Sequence, residues 1–216
     1  MKAAADPTRA AGMQAYMKST MPYRGIKMPA LRAITREVFD HDMTCDEFRE
    51  TILRLWRGAR FREERYVPQI LLAQKRFAQC LTPGDMPMLE EMVVSGAWWD
   101  LVDELAVVIG GVLRRYPKSM RRLMRRWSTD SNMWKRRVSI ICQLKFKRET
   151  DLDLLYATIE PNLGDRDFFI RKAIGWALRQ YGWTDPPRRS FVMCAQTRPG
   201  SVGSASARRS RTFRLP

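Results

Sequence analysis

Residues 98–113 read WWDLVDELAVVIGGVL, and this stretch decides the fold. Apolar side chains recur there at the spacing of about 3.6 residues that predicts an amphipathic helix. Asp100 and Glu104 fall on the far side, where we expect solvated charges. Asp103 lies instead on the apolar stripe, one turn after Trp99, and a carboxylate there loses hydration unless a partner compensates. Asp103 is therefore either a structural carboxylate, capping a helix or pairing with an arginine, or a functional one.

Length and composition indicate one folded domain. The chain has 216 residues and an ordinary apolar fraction, enough for one sizeable core. Its longest apolar run, 105–113, is too short to span a membrane, and the first residues lack a signal-peptide pattern. We therefore expect a cytoplasmic protein, bacterial in type, that does not bind membranes.

The four cysteines are scattered, without a C-x-x-C pair, and the chain has one histidine. This pattern predicts neither a zinc site nor a disulfide framework, so we interpret the cysteines as reduced packing residues. We expect no metal and no cofactor.

The net charge of +16 points to a polyanionic partner. Residues 186–216 contribute seven arginines and no acid, which leaves +9 of the +16 for the rest of the chain. The positive charge of that part is concentrated in blocks such as those within 114–126 and 135–137. A basic surface that is merely solvated is the alternative.

The rest of the chain predicts an all-helical fold without strands or hairpins. Thr44 and Glu47 form a capping-box pattern, and Pro68 should kink or split its helix. Ser131 is the predicted cap of a later helix. The predicted helices cover about 7–19, 29–40, 45–58, 60–79, 83–94, 98–113, 117–127, 131–146, 151–163 and 167–181.

Spacing favours a helical repeat over a simple bundle. Trp99 and Arg137 are 38 residues apart, and Arg137 and Trp176 are 39 apart. Each lies in a helix that follows a shorter helix and a turn. A period of about 40 residues is typical of HEAT-type arrays, in which equivalent positions line one concave surface. We therefore expect a curved solenoid with a basic concave face, on which these side chains converge.

Helical faces single out two of these side chains. Trp176 lies off the core stripe of its helix, grouped with Phe169, Lys172 and Arg179, where an indole suits stacking on a ligand. Arg137 lies instead among apolar residues, a setting that is typical of an arginine held in position to bind a phosphate or a carboxylate. A structural ion pair with Asp103 is the alternative.

These residues carry a resemblance to a known family. The chain resembles the AlkD-type DNA alkylation repair family, HEAT-like repeat DNA glycosylases, over about residues 5–186. The matching segments are Ala15-Tyr-Met-Lys18 with Gly25-Ile-Lys27, WWDLVD at 98–103, and Trp134-Lys-Arg-Arg-Val138 with Gln143-Leu144. The most specific is Phe169-Ile-Arg-Lys-Ala-Ile-Gly-Trp176-Ala-Leu-Arg179-x-Tyr181, followed by Thr184-Asp-Pro186.

The resemblance implies excision of N3- or N7-alkylated purines from double-stranded DNA by a protein that we expect to be monomeric. It places the catalytic aspartate at Asp103, the paired tryptophans at Trp99 and Trp176, and the active-site tyrosine at Tyr16. The DNA-contacting arginine falls on Arg137, or on Arg136 if the register differs by one. We expect further DNA contacts from neighbouring cations, namely Lys27, Lys135, Lys172 and Arg179.

The residue types also suit this chemistry independently of the resemblance. A purine alkylated at N3 or N7 is already cationic and leaves without a general acid. Positive charge builds on the sugar as the bond to the base lengthens, as in other oxocarbenium-like transition states. The Asp103 carboxylate would stabilise that charge and position water.

Two other functions fit the composition: a non-catalytic helical scaffold that binds nucleic acid, and a helical array that binds an acidic protein. Release of alkylated purine distinguishes the glycosylase from both.

Residues 187–216 differ in character from the rest. Their run of small residues and arginines lacks helical periodicity, so we predict a domain over 1–186 and a basic, disordered tail over 187–216. In the related family, helices continue at this point. We interpret the tail as a frameshifted reading of that C-terminus, which sequencing of the gene would test.

Overall fold

The computed structural model describes residues 1–184, and these residues are helical, with no strand among them. Ten α-helices follow one another: α1 (Pro7–Met17), α2 (Met28–Val38), α3 (Cys45–Gly58), α4 (Arg62–Leu72), α5 (Met86–Gly96), α6 (Trp99–Arg115), α7 (Pro117–Trp127), α8 (Met133–Ile141), α9 (Leu152–Ile159) and α10 (Phe168–Thr184). Short 3-10 helices cover Lys2–Ala4, Lys75–Cys80, Pro83–Asp85, Lys147–Glu149 and Glu160–Asn162. The predicted all-helical repeat fold is confirmed. The predicted tail lies outside the described residues.

Local sequence signals set several helix ends. The Thr44 hydroxyl accepts a hydrogen bond from the Glu47 N–H, and the Glu47 carboxylate accepts one from the Thr44 N–H, as the capping box predicts. Pro68 lies inside α4 without splitting it, and the chain leaves the helix after Leu72 instead. The cap of α8 is Asn132, one residue after the predicted Ser131.

The helices pack in two layers. The front layer runs α2–α4–α6–α8–α10, each helix contacting the next, and the back layer consists of α3, α5, α7 and α9. The core lies between the layers and includes Trp56, Leu105, Ile109 and Trp127, each almost completely buried. No helix among residues 1–184 is long and apolar enough to cross a bilayer.

Gly110 allows the two central helices of the front layer to approach closely. A methyl group built on Gly110 would overlap the Cys142 carbonyl oxygen at the end of α8. The neighbouring Gly111 has open space at the same position. The approach at Gly110 therefore fixes the separation of α6 and α8, the helices that carry Asp103 and Arg137.

The prediction that all cysteines are reduced was wrong for one pair. Cys45, at the start of α3, forms a disulfide with Cys80, at the end of the 3-10 helix that packs on α3. Their separation of 35 residues hid this contact, which arises only when the two elements pack together. Cys142 is free and buried, and burial raises the pKa of its thiol to about 12, which suits a packing residue. Cys194 lies outside the described residues.

Candidate functional site

A cleft of 400 Å³ opens in the front layer where α6, α8 and α10 meet. It brings together five residues that the sequence singled out, although they lie up to 80 positions apart. Two phenylalanines complete its wall. The lining residues are Trp99, Arg137, Phe168, Phe169, Lys172, Trp176 and Arg179.

The two adjacent tryptophans at the start of α6 have different surroundings. Trp98 precedes the helix and packs its ring against Trp134 and Phe169, with centroids 6.3 and 5.4 Å away. Trp99 is the first residue of the helix, and its indole remains 37% exposed at the cleft. Trp98 thus anchors the helix start, while Trp99 is available to a ligand.

Arg137, which lines the cleft, forms a bidentate ion pair with Asp103, which is not among the lining residues. The Arg137 Nε and Nη2 each donate to an Asp103 carboxylate oxygen at 2.7 Å. Arg137 Nη1 also donates to the Phe169 carbonyl oxygen at 2.6 Å. The guanidinium therefore orients the Asp103 carboxylate and links α6, α8 and α10.

Burial and charge act in opposite directions on Asp103. Burial raises the pKa of this carboxyl above its usual range, and the Arg137 hydrogen bonds and charge only partly oppose the rise. The side chain nevertheless keeps 17% of its surface exposed, against 6% for Arg137. Asp103 is thus a largely desolvated carboxylate with a path to solvent, held in one orientation.

The cleft side of α10 presents aromatic and basic side chains to solvent, as the sequence predicted. Trp176 is 38% exposed, and Lys172 and Arg179 are exposed beside it. The Lys172 ammonium lies 5.4 Å from the centroid of the Phe168 ring. This surface has the residue types that bind a phosphate backbone and stack on a base.

A larger cavity of 570 Å³ lies on the other side of Trp99, among α1, α2, α4 and α6. Tyr16 lines this cavity and does not line the Trp99–Trp176 cleft, although both volumes share Trp99. Its side chain is 79% exposed. Lys27 is exposed at the start of α2 and lines neither volume.

Asp100 is not the solvated charge that the sequence predicted. Its carboxylate accepts hydrogen bonds from the Arg62 guanidinium and the Tyr66 hydroxyl, and its side chain is only 10% exposed. The Tyr66 hydroxyl also lies 3.0 Å from the Tyr23 hydroxyl. Burial and the Asp100 charge raise the pKa of Tyr66, which stays protonated as a donor. The network fixes the first turn of α6 against α4.

Two of the predicted DNA-contacting cations bind protein carboxylates in this structure. The Lys135 ammonium lies 2.6 Å from a Glu90 oxygen and also contacts Asp130. Arg136 pairs with Asp165 at 2.9 Å. Their contact with DNA stays a prediction, and their side chains are mostly buried in these ion pairs.

Phe168 and the Asp100 network are parts of this region that sequence reasoning missed. Phe168 lies one residue before the segment 169–181 that resembles the family, and Phe168 is 62% exposed at the cleft rim. The signal available in the sequence was a second phenylalanine beside Phe169 at the start of the predicted helix. Within residues 1–184 no group of three or more potential ligand side chains could hold a metal ion.

Comparison with known proteins bears on the family and the fold of the chain. The sequence model described as "DNA alkylation repair enzyme" matches residues 1–208. The fold is similar to a solved structure described as a predicted DNA alkylation repair enzyme from Enterococcus faecalis, with a TM-score of 0.80 and 29% identity. That similarity covers 89% of this chain and 90% of the other. No protein with a curated description is significantly similar.

Proposed function

Because this chain belongs to the DNA alkylation repair enzyme family, whose substrate is DNA, we propose that it is a glycosylase for N3- and N7-alkylated purines. It would hydrolyse the bond between the alkylated base and deoxyribose in double-stranded DNA. One observation carries the proposal: an oriented, desolvated Asp103 carboxylate lies one helical turn from Trp99 and is held by Arg137, which lines the cleft together with Trp99 and Trp176.

The proposed reaction needs no general acid. Alkylation makes the purine cationic, so the electron pair of the breaking C1′–N bond neutralises the departing base. The deoxyribose becomes oxocarbenium-like, and the Asp103 carboxylate stabilises its positive charge. Water then adds to C1′ and releases a proton to Asp103 or to solvent, which leaves an abasic sugar and the free alkylated base.

The two exposed indoles would bind the cationic lesion. Trp99 and Trp176 both line the cleft, and a cation over an indole face gains about 1–2 kcal/mol when water is excluded. Tyr16 would act from the adjoining cavity through contacts with the lesion strand. These contacts favour an alkylated base over an ordinary neutral one, because only the alkylated base carries a full positive charge.

Cations at the cleft would hold the DNA backbone. Lys172 and Arg179 are exposed at the rim and form no ion pair among residues 1–184, so both are free to bind phosphates. Lys27 is likewise exposed and unpaired within that part of the chain. Arg137 has a different proposed role, since its donors already bind Asp103 and Phe169: it positions the catalytic carboxylate.

The deciding experiment is release of free base from methylated double-stranded DNA under single-turnover conditions. The glycosylase proposal expects 3-methyladenine or 7-methylguanine in the supernatant and alkali-labile abasic sites in the DNA. DNA that binds the protein but keeps its methylated bases would overturn the proposal.

The second candidate is a non-catalytic DNA-binding scaffold, and the Arg137–Asp103 ion pair favours it because such a pair can be purely structural. A scaffold would bind DNA without releasing base. For the glycosylase we further propose action as a monomer on cytoplasmic, nucleoid DNA.

A further inference from the structure

Helix α7 carries four cations along one exposed stripe, which we call the α7 stripe: Lys118, Arg122, Arg125 and Arg126. Their spacing of four, three and one residues places them within about a third of the helix circumference. None of these side chains forms a hydrogen bond or ion pair with another of the residues 1–184. The stripe is therefore a concentrated positive charge that the described part of the protein does not neutralise.

Carboxylates near α7 form ion pairs with other arginines and not with the cations of the stripe. Arg121, on the same helix, pairs with Asp151 at 2.6 Å, and Arg114 pairs with Glu149 at 2.9 Å. Both acids lie between α8 and α9 in the chain. The α7 stripe thus differs from the ion-paired basic surface beside it.

The α7 stripe faces away from the cleft. The core side chains of α7 are Met120, Met124 and Trp127, about half a turn around the helix from the stripe. That core side packs toward α6 and α8 in the front layer. No residue of α7 lines the Trp99–Trp176 cleft, and the stripe lies on the side of α7 opposite the buried side chains that pack toward α6 and α8.

We infer that the α7 stripe binds the phosphate backbone of a second DNA segment while the first occupies the cleft. DNA is the polyanion on which this family acts. Three of the four cations are arginines, whose planar forks bind phosphate oxygens bidentately. The stripe spans about 12 Å along the helix, enough to contact successive phosphates.

The composition of the stripe argues against a membrane as its partner. Insertion into lipid needs large apolar side chains beside the cations. Of the large apolar side chains of α7, Met120, Met124 and Trp127 are buried in the core, and Leu123 is half-buried against it. The contact with DNA would be electrostatic and independent of base sequence, and it would hold a second stretch of DNA close to the one under repair.

The test is a two-duplex capture assay with the full chain and undamaged DNA. The protein is bound to an immobilised duplex, washed, and offered a second, fluorescent duplex over a range of salt concentrations. The test variant changes Lys118, Arg122, Arg125 and Arg126 to Gln. The control variant changes four exposed, unpaired cations that do not share a helix face: Lys2, Arg54, Lys75 and Lys145. Both variants lose the same charge and keep the same C-terminal arginines.

Loss of the α7 stripe should lower capture of the second duplex about tenfold or more, and lower the slope of log capture against log salt by about three. Binding to the immobilised duplex and single-turnover base release should stay near wild type. Replacing the three arginines by lysine should restore most of the capture, since charge is retained. These results support the inference, and unchanged base release separates it from the glycosylase proposal.

Two outcomes would overturn the inference. One is equal loss of capture in the two Gln variants, since net charge alone would then explain it. The other is full capture by the α7-stripe variant together with loss of its binding to vesicles of anionic phospholipid or to polyglutamate. That result would assign the stripe to a membrane or an acidic protein instead of DNA.

Discussion

The Arg137 guanidinium meets the Asp103 carboxylate through two hydrogen bonds of 2.7 Å, and the third guanidinium nitrogen binds the Phe169 carbonyl oxygen. The ion pair and this hydrogen bond thus join three helices of the front layer through the one guanidinium. A carboxylate in this position can be structural and catalytic together, because the contacts that stabilise the fold also set its orientation. Separate measurements of base release, DNA affinity and stability are needed to distinguish the two roles.

Asp103→Asn should lower base release by on the order of tenfold to a thousandfold, because the amide lacks the charge that stabilises the oxocarbenium-like sugar. Affinity for undamaged DNA should change little. Single-turnover release of methylated purine, alongside a binding titration, measures both. Asp153→Asn, at an exposed carboxylate of α9, is the matched control and should behave as wild type. Full activity of Asp103→Asn would exclude the catalytic role.

Arg137→Lys should lower base release while leaving the salt dependence of DNA binding unchanged. Lysine keeps the charge but cannot form the bidentate contact with Asp103. Replacement by Gln should lower thermal stability as well, since it leaves Asp103 buried without its partner. If Arg137 contacts phosphate instead, the Gln variant should reduce the slope of log affinity against log salt by about one.

Trp176→Ala should weaken binding of DNA that carries an alkylated purine by roughly fivefold to thirtyfold, the equivalent of about 1–2 kcal/mol of cation–π contact. Binding of undamaged DNA should fall less, because its bases are neutral. Trp183→Ala provides the control: that indole is 60% exposed on the same helix but does not line the cleft. Equal losses on damaged and undamaged DNA would argue against recognition of the lesion by Trp176.

Gly110→Ala should destabilise the protein by about 1–3 kcal/mol, because the added methyl group forces α6 away from α8. Gly111→Ala should instead be neutral or stabilising by up to about 1 kcal/mol, since its methyl group meets open space in a helix interior. Urea unfolding of the two variants is the measurement. Similar stabilities for both would show that the helices adjust without cost.

Replacing Cys45 and Cys80 by Ser should lower the free energy of unfolding by about 4 kcal/mol, the chain-entropy value for a closed loop of this length. Reductant should lower the melting temperature of the wild type and leave that of the double variant unchanged. Mass spectrometry after thiol labelling provides a direct check. Two labelled thiols at these positions in the purified protein would contradict the disulfide.

Features with a local signal were predictable from sequence. The exposed position of Trp176 follows from the periodicity of its own helix, and the burial of Arg137 follows from the apolar residues around it. Thr44 and Glu47 are three residues apart, so their capping box was visible as well. Each of these needs only the geometry of a single helix.

Features that depend on how helices pack were not predictable in this way. Asp100 looked solvated because its partner Arg62 lies 38 positions earlier, on a helix whose rotation the sequence does not reveal. The Cys45–Cys80 disulfide was missed for the same reason. The Asp103–Arg137 pair was one of the alternatives that the sequence left open for Arg137, and only the packed front layer decides that the two residues meet.

Trp99 is a common wall of two volumes, the 400 Å³ cleft and the 570 Å³ cavity. A rotation of its indole would therefore alter the lining of both volumes. An occupant of the cavity beside Tyr16 that contacts Trp99 would in this way also act on a side chain that the cleft presents to a lesion.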